Sequence, residues 1–297
     1  MRIQRSFVEQ TLTNPVGTLY LVATPIGNLE DITLRALNTL KSVDFIAAED
    51  TRHTRKLLSF YEIQGKLISY HEHNKHQSGQ QLLDILQQGH AIALVSDAGM
   101  PAISDPGYEL VQLAIAHEIP VVPIPGANAA LAALVAAGLS PIPFTFLGFL
   151  PRDKKHLRQM LTKWGSHEQT MIIYESPHRL KQTLTMVLDA WGNRQVVLAR
   201  ELTKKYEEFM RGELVDCLQQ VSEHGAKGEY CIVIGGAEPA TTVITDETVS
   251  PLTRVAIYIE QGISEKEAIR SVAQELGLPR RDIYNQFMAQ KKSSDES

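Results

Sequence analysis

The chain has 297 residues, 43% of them hydrophobic, two cysteines and a formal net charge of −5. That length admits two domains and a small appendage, and no stretch of about 18 uncharged apolar residues is present to span a membrane. The cysteines form no C-x-x-C pair, so a disulfide framework or a Cys-based zinc site is unsupported. The negative charge argues against bulk capture of nucleic acid while leaving room for local basic patches.

The first residues carry Arg2 and Arg5 without an apolar core behind them. This is not the pattern of a secretory signal, so the cytoplasm is the expected compartment. Residues 1–16 read as a loosely ordered tail. Thr18–Thr24 (TLYLVAT) is an expected strand that stops at the turn Pro25–Asn28. Asp31 can N-cap a helix carrying Ile32, Leu34, Leu37 and Leu40. Val43–Ala48 is the next strand, followed by a basic helix over Thr51–Tyr61. Lys66–Tyr70 is a third strand, ending in His71–Glu72–His73–Asn74, and a helix through Leu82–Leu86 follows.

Ile92–Val95 is a short apolar run that reads as a buried strand. It opens into Ser96–Gly107, a loop with two Asp, two Ser, two Gly and two Pro. Structureless loops of this length inside compact domains are usually functional. The plainer account is a surface loop in which Asp105 caps the next helix, whose apolar residues are Leu110, Val111, Leu113 and Ala114. Val121–Ile124 is a fifth strand. Ala127–Ala137 is a helix whose alanines allow close packing on a sheet. This β–α alternation implies a mostly parallel sheet with helices on both faces.

The pattern changes near Phe144–Leu150, and the first α/β domain is placed at 17–147, the second at 148–238. A basic run, Arg152, Lys154, Lys155, His156 and Arg158, leads a helix ending at Trp164. Strands are expected at Met171–Tyr174, Val196–Ala199, Phe209–Gly212 and Tyr230–Ile234, with helices over Leu180–Trp191 and Leu214–Val221. Fewer crossovers here favour an α+β arrangement with antiparallel pairs. Residues 239–250 read as a polar linker. In 251–297, Leu252–Ile259, Glu265–Leu276 and Arg281–Met288 form three short helices, either a helix-turn-helix or a packing hairpin.

The common nucleotide and hydrolase motifs are missing: G-x-x-x-x-G-K-[ST], G-x-G-x-x-G after the first strand, and G-x-S-x-G. No histidine spacing supports a catalytic metal, so none is expected. What remains is a polar cluster after each of five strands: PIGN, EDTRHT, HEHN, SDAGMP and PGAN. In a doubly wound sheet these emerge at one edge and line a shared crevice.

These runs also carry a resemblance. PIGNLEDIT, AAEDTRHT, LVSDAGMPAISDPG, PIPGANAA, FLGFLP, YESPHRL, ARELTKKYEE and KGEYCIVI resemble, in order, the signatures of the small-subunit rRNA methyltransferase I family of the tetrapyrrole-methylase (class III) superfamily. The resemblance implies a bilobal α/β fold with a mostly parallel N-terminal sheet, a mixed second α/β domain and a small C-terminal helical domain. It implies S-adenosylmethionine as cofactor, a homodimer, and 2′-O-methylation of a cytidine in the decoding centre of small-subunit rRNA. The substrate would be the rRNA or the assembled 30S subunit. Carried over by position, Ser96, Asp97, Ala98, Gly99, Ile103, Ala127 and Asn128 should line the cofactor. Tyr174, Glu175, Leu202, Thr203, Tyr230, Cys231 and Ile232 should enclose its adenosine.

A ribose hydroxyl is a weak nucleophile at neutral pH, so a base is expected close to it. Glu49, Asp50 and His53 are the candidates, with His71 as the runner-up base and a further RNA contact, and Arg52 to grip a phosphate. The plainer account of Glu49 and Asp50 is a cap at the start of the Thr51 helix. Arg152, Lys154, Lys155, Arg280 and Arg281 are expected to meet RNA. Two other readings stay open: a tetrapyrrole methylase of the same fold, and a ligand-sensing DNA-binding regulator using the C-terminal helices.

Overall fold

The computed structural model describes residues 3–4, 16–238, 250–260 and 263–295. Most of the expected N-terminal tail and linker therefore lies outside the described residues. The chain divides into two compact units, Met1–Ala237 and Glu238–Ser297.

The first unit holds two five-stranded sheets. In the first sheet β1 (Leu19–Val22), β2 (Phe45–Ala48), β3 (Lys66–Ser69), β4 (Ile92–Val95) and β5 (Val121–Ile124) run parallel in the order β3-β2-β4-β1-β5. Alternate residues serve opposite faces, and both faces are buried, which is why these strands are continuous apolar runs. Ile92 and Leu94 join the layer of α3 (Lys75–Gln87) and α4 (Tyr108–Ala116), whereas Ala93 and Val95 join that of α1 (Leu34–Ser42) and α2 (Thr51–Phe60). Neighbouring strands β2 and β4 thus send their following helices to opposite faces. A crevice opens between their carboxyl ends, the usual ligand position in such sheets.

Two helix starts differ from expectation. Asp31 ends a single 3₁₀ turn, Leu29–Asp31, and α1 begins three residues later with Thr33 as its cap, accepting from the Ala36 amide at 3.1 Å. Asp105 does not cap α4. Gly107 does so by backbone alone at φ 152, where an added Cβ would lie 2.8 Å from that of Ala102.

After β5 the chain changes sheets. Helix α5 (Ala129–Ala137) packs Ala130, Ala133, Leu134 and Ala137 on Ile172, Val197, Ala199 and Val233 of the second sheet. That sheet comprises β6 (Phe144–Phe149), β7 (Thr170–Glu175), β8 (Gln195–Arg200), β9 (Glu208–Glu213) and β10 (Tyr230–Ile234), ordered β6-β7-β10-β8-β9. β6 and β7 are parallel and the other pairings antiparallel. Its other face is covered by α6 (Lys154–Trp164), α7 (Pro177–Trp191) and α8 (Leu214–His224). The second layer therefore begins with α5 and β6, ahead of residue 147.

The second unit holds α9 (Pro251–Glu260), α10 (Glu265–Leu276) and α11 (Arg280–Asp295). Val255, Tyr258, Ala268, Ile269, Val272 and Ile283 form its core. Among the described residues no helix is long and apolar enough to cross a membrane.

Candidate functional site

The loop after β4 is pinned to the end of β1. Thr24 and Gly99 exchange both main-chain hydrogen bonds, at 2.9 and 3.0 Å. The buried Ser96 hydroxyl donates to the Gly99 carbonyl at 3.2 Å, and the Thr24 hydroxyl donates to the Ser96 carbonyl at 3.1 Å. Gly99 sits at φ 82, and Ala102 and Ser104 both at φ 65. A non-glycine residue held there costs about 1–3 kcal/mol, a strain found mostly where a loop serves a site. Asp97 reaches across the crevice to accept the Asp50 amide at 3.1 Å, joining the ends of β4 and β2.

This loop forms one wall of a cavity of about 470 Å³, and the second sheet forms the other. Asp97, Ala98, Gly99, Ile103, Asn128, Tyr174, Glu175, Leu202, Tyr230 and Cys231 line it, ten of the residues expected around the cofactor. The other four do not. Ser96 lies beneath the loop as its clamp, and Ala127 stands behind Gly99 with its carbonyl toward that residue. Thr203 sits at φ 65 with its amide bonded to Glu207 at 2.6 Å, and its buried hydroxyl has no hydrogen-bond partner among the described residues. Ile232 points into the core beneath α6–α8, because alternate residues of β10 face opposite ways.

Several lining residues are braced. The N-cap Asn128 accepts the Leu131 amide at 3.0 Å, and the Tyr174 hydroxyl accepts the Ala130 amide at 3.0 Å. Burial pushes the Tyr174 phenol up to about 12. Glu175 is 2% exposed, and its oxygens accept from the Thr183 hydroxyl at 2.6 Å and the Ser176 amide at 2.8 Å.

The predicted bases separate by environment. Asp50 is the cap of α2, accepting from the Arg52 amide and guanidinium. These bonds hold its carboxyl far below the ordinary carboxylate range, and they occupy the arginine expected to grip phosphate. Glu49 is pushed up, first by burial and then by Asp97. His53 lies on α2 beside a second, adjoining cavity. His71 faces Glu49 electrostatically, and its buried Nδ1 has no hydrogen-bond partner among the described residues. Sequence reading missed Asp105. Its carboxyl lines the first cavity and is raised to about 7 by burial, with Glu49 and Asp97 adding to the effect. Its loop position was legible, but its use as a helix cap was the simpler account.

Arg152, Lys154 and Lys155 are exposed around the start of α6, and Arg280 and Arg281 are exposed at the start of α11 in the other unit. Neither group lines a cavity described here. Among the described residues, no cluster of three or more His, Cys, Asp and Glu could hold a metal.

The donor set suits S-adenosylmethionine. Its volume falls in the usual small-ligand range of about 300–1,000 Å³. Ile103, Leu202 and Cys231 offer apolar walls for an adenine, and the carboxyls of Asp97 and Asp105 suit hydroxyl or ammonium donors and a cationic sulfur.

Residues 18–217 match the model of the tetrapyrrole (corrin/porphyrin) methylases. A ribosomal RNA small subunit methyltransferase I from Halalkalibacterium halodurans is 54% identical over 96% of this chain and 98% of its own length. Proteins of the same name from Bacillus subtilis and Synechocystis are each 48% identical, over 97% and 91% of this chain and 98% and 96% of their own. Among solved structures, a uroporphyrin-III C-methyltransferase from Thermus thermophilus complexed with S-adenosylhomocysteine superposes with a TM-score of 0.54 at 18% identity, covering 74% of this chain and 97% of that one. A conserved hypothetical protein from Aeropyrum pernix reaches 0.57 at 17% identity over 94% of this chain and 98% of its own. At such identities these likenesses show the fold alone. On the family match and the near-full-length relatives, the chain belongs to the tetrapyrrole methylases and, within them, to the ribosomal RNA small subunit methyltransferase I family, whose members are S-adenosylmethionine-dependent methyltransferases.

Proposed function

We propose that the protein methylates the 2′-hydroxyl of a cytidine in the decoding centre of small-subunit rRNA, acting as a cytoplasmic homodimer on the rRNA or the 30S subunit. The names of the relatives support the rRNA substrate. The observation that carries the hydroxyl reading is the pair of carboxyls that line the cavity, Asp97 and Asp105, with Asp105 raised into the neutral range by burial and by Glu49 and Asp97 near it. A hydroxyl must lose its proton as it attacks, and a carboxyl poised near the working pH is suited to receive it.

In this reading Asp97, Gly99, Ile103, Asn128, Leu202 and Tyr230 hold S-adenosylmethionine. When bound, it supplies an electrophilic methyl group on a cationic sulfur. Asp97 is fixed by the Asp50 amide, so one oxygen keeps its position while the other is free to orient a donor. Asp105 and Glu49 take the hydroxyl proton on a carboxylate oxygen and pass it to solvent. Asp50 sets the start of α2. Arg152, Lys154 and Lys155, and Arg280 and Arg281, contact phosphates.

The test uses small subunits from cells lacking the enzyme, methyl-labelled cofactor, and alkaline hydrolysis of the product rRNA. A 2′-O-methyl group blocks cleavage of the adjacent phosphodiester, so label should appear in an alkali-resistant dinucleotide containing cytidine. Label in mononucleotides, or transfer to a porphyrinoid and not to subunits, would refute the reading. Sedimentation equilibrium tests the dimer.

A further inference from the structure

Beside the cofactor cavity lies a second one, of about 660 Å³. Part of its wall is the turn Thr24–Gly27. The opposing part is one face of α2: His53, Lys56, Leu57 and Phe60, at helical positions i, i+3, i+4 and i+7. The two cavities share Ile26, Asp97, Ala98, Lys204 and Glu229, so they meet over the loop that follows β4.

We propose that this second cavity receives one unstacked nucleotide of a single-stranded RNA segment, with its base on the Phe60 ring and its phosphate at Lys56. The inference rests on the RNA reading above and extends it to a specific pocket. Phe60 is 62% exposed and yet lines a concavity, so its ring face is offered to whatever enters. Its recorded ring partner, Tyr61, meets it edge-on. The side chains of Lys56 and His53 make no hydrogen bond or ion pair among the described residues. Lys204, by contrast, is neutralised between Glu201 and Glu229, at 2.9 Å from each. The pocket therefore presents an aromatic face, an unneutralised ammonium and an imidazole within one helix face. That is the complement of a base, a phosphate and a polar base edge.

The joined geometry explains why the nucleotide must leave its stack. A ribose hydroxyl held within a helix cannot approach a cavity walled by two sheets. Enzymes that act on a nucleotide in such a pocket extrude it and recover part of the cost by stacking it on a side chain. A base at Phe60 with its phosphate at Lys56 directs the sugar toward Ile26 and Asp97–Ala98, where the two cavities meet.

The experiment measures binding and methylation of purified small subunits by the full-length protein and by Phe60→Ala, Phe60→Trp and Lys56→Ala, with cofactor affinity measured by calorimetry. Phe60→Ala should lower kcat/KM and subunit affinity about tenfold or more. Phe60→Trp should restore both. Lys56→Ala should reduce the log–log salt slope of subunit binding by about one unit, and Phe60→Ala should leave that slope unchanged. Cofactor affinity should stay at the wild-type value throughout, which also shows that the variants fold. Unchanged kcat/KM and affinity in both alanine variants, with the wild type methylating subunits, would overturn the pocket alone. Failure of the wild type to methylate subunits would overturn the RNA reading and the pocket with it.

Discussion

Asp105→Asn should make the protein more stable and less active, and the stability gain should depend on pH. Asp105 is raised from an ordinary aspartate value near 3.8 to about 7, by burial and by Glu49 and Asp97. Between those values the folded chain keeps a proton that the unfolded chain has released. Stability due to this group is therefore complete below the unfolded pKa and declines as pH rises toward 7. Three pH units at 1.36 kcal/mol each would give roughly 4 kcal/mol. Asp105 is only partly buried, and solvent screening brings the expectation to about 2 kcal/mol. Asparagine is nearly isosteric and uncharged, so the variant should match the wild type at pH 4 and exceed it by about 2 kcal/mol at pH 8. Urea unfolding followed by tryptophan fluorescence is the assay. The chain's two tryptophans, Trp164 and Trp191, both lie in the first unit, so the signal reports that unit alone. The same variant should lose about tenfold or more in single-turnover methyl transfer. A stability difference that is equal at pH 4 and pH 8 would refute the account of Asp105 as a strained, proton-holding carboxyl.

Other substitutions separate the remaining roles. Glu49→Gln should slow single-turnover transfer by about tenfold or more, while Asp50→Ala should act mainly on stability, through the lost cap. Asp97→Ala should weaken cofactor binding by at least about tenfold in calorimetry, since a charge-assisted hydrogen bond contributes roughly 1.5–3 kcal/mol. Gly99→Val should block the cofactor, and φ 82 with an Ile26 methyl 3.3 Å from the new Cβ predicts lost stability as well, which thermal unfolding would show. Deleting residues 251–297, or changing Arg280 and Arg281 to Ala, should weaken subunit binding and flatten its salt slope. Cofactor affinity should survive, since every residue lining the first cavity lies before Ala237; wild-type subunit binding by the truncated chain would make these helices structural.

The strands and the loops beyond them were legible in sequence because each apolar run ends in Pro, Gly, Asp or His, and a parallel sheet gathers such ends at one edge. What could not be read locally was direction and company. Ile232 and Cys231 are equally apolar neighbours, and only the packing of α5 on one face decides that Cys231 meets the cavity while Ile232 meets the core. Asp105 and Asp50 show the same limit with charge. Both precede helices and both have the chemistry of a cap. Asp50 becomes one, because the Arg52 amide and guanidinium converge on it. Asp105 does not, because Gly107 turns the chain into α4 by backbone alone and leaves the aspartate two residues upstream, facing Asp97 of its own loop and Glu49 from the end of β2. Repulsion between Asp105 and Glu49, which come from the separate loops after β4 and β2, is a property of the fold. The proton held at Asp105 depends first on burial, then on Glu49 at the end of β2 and on Asp97 of its own loop, and it is the pairing of β2 with β4 that brings Glu49 there.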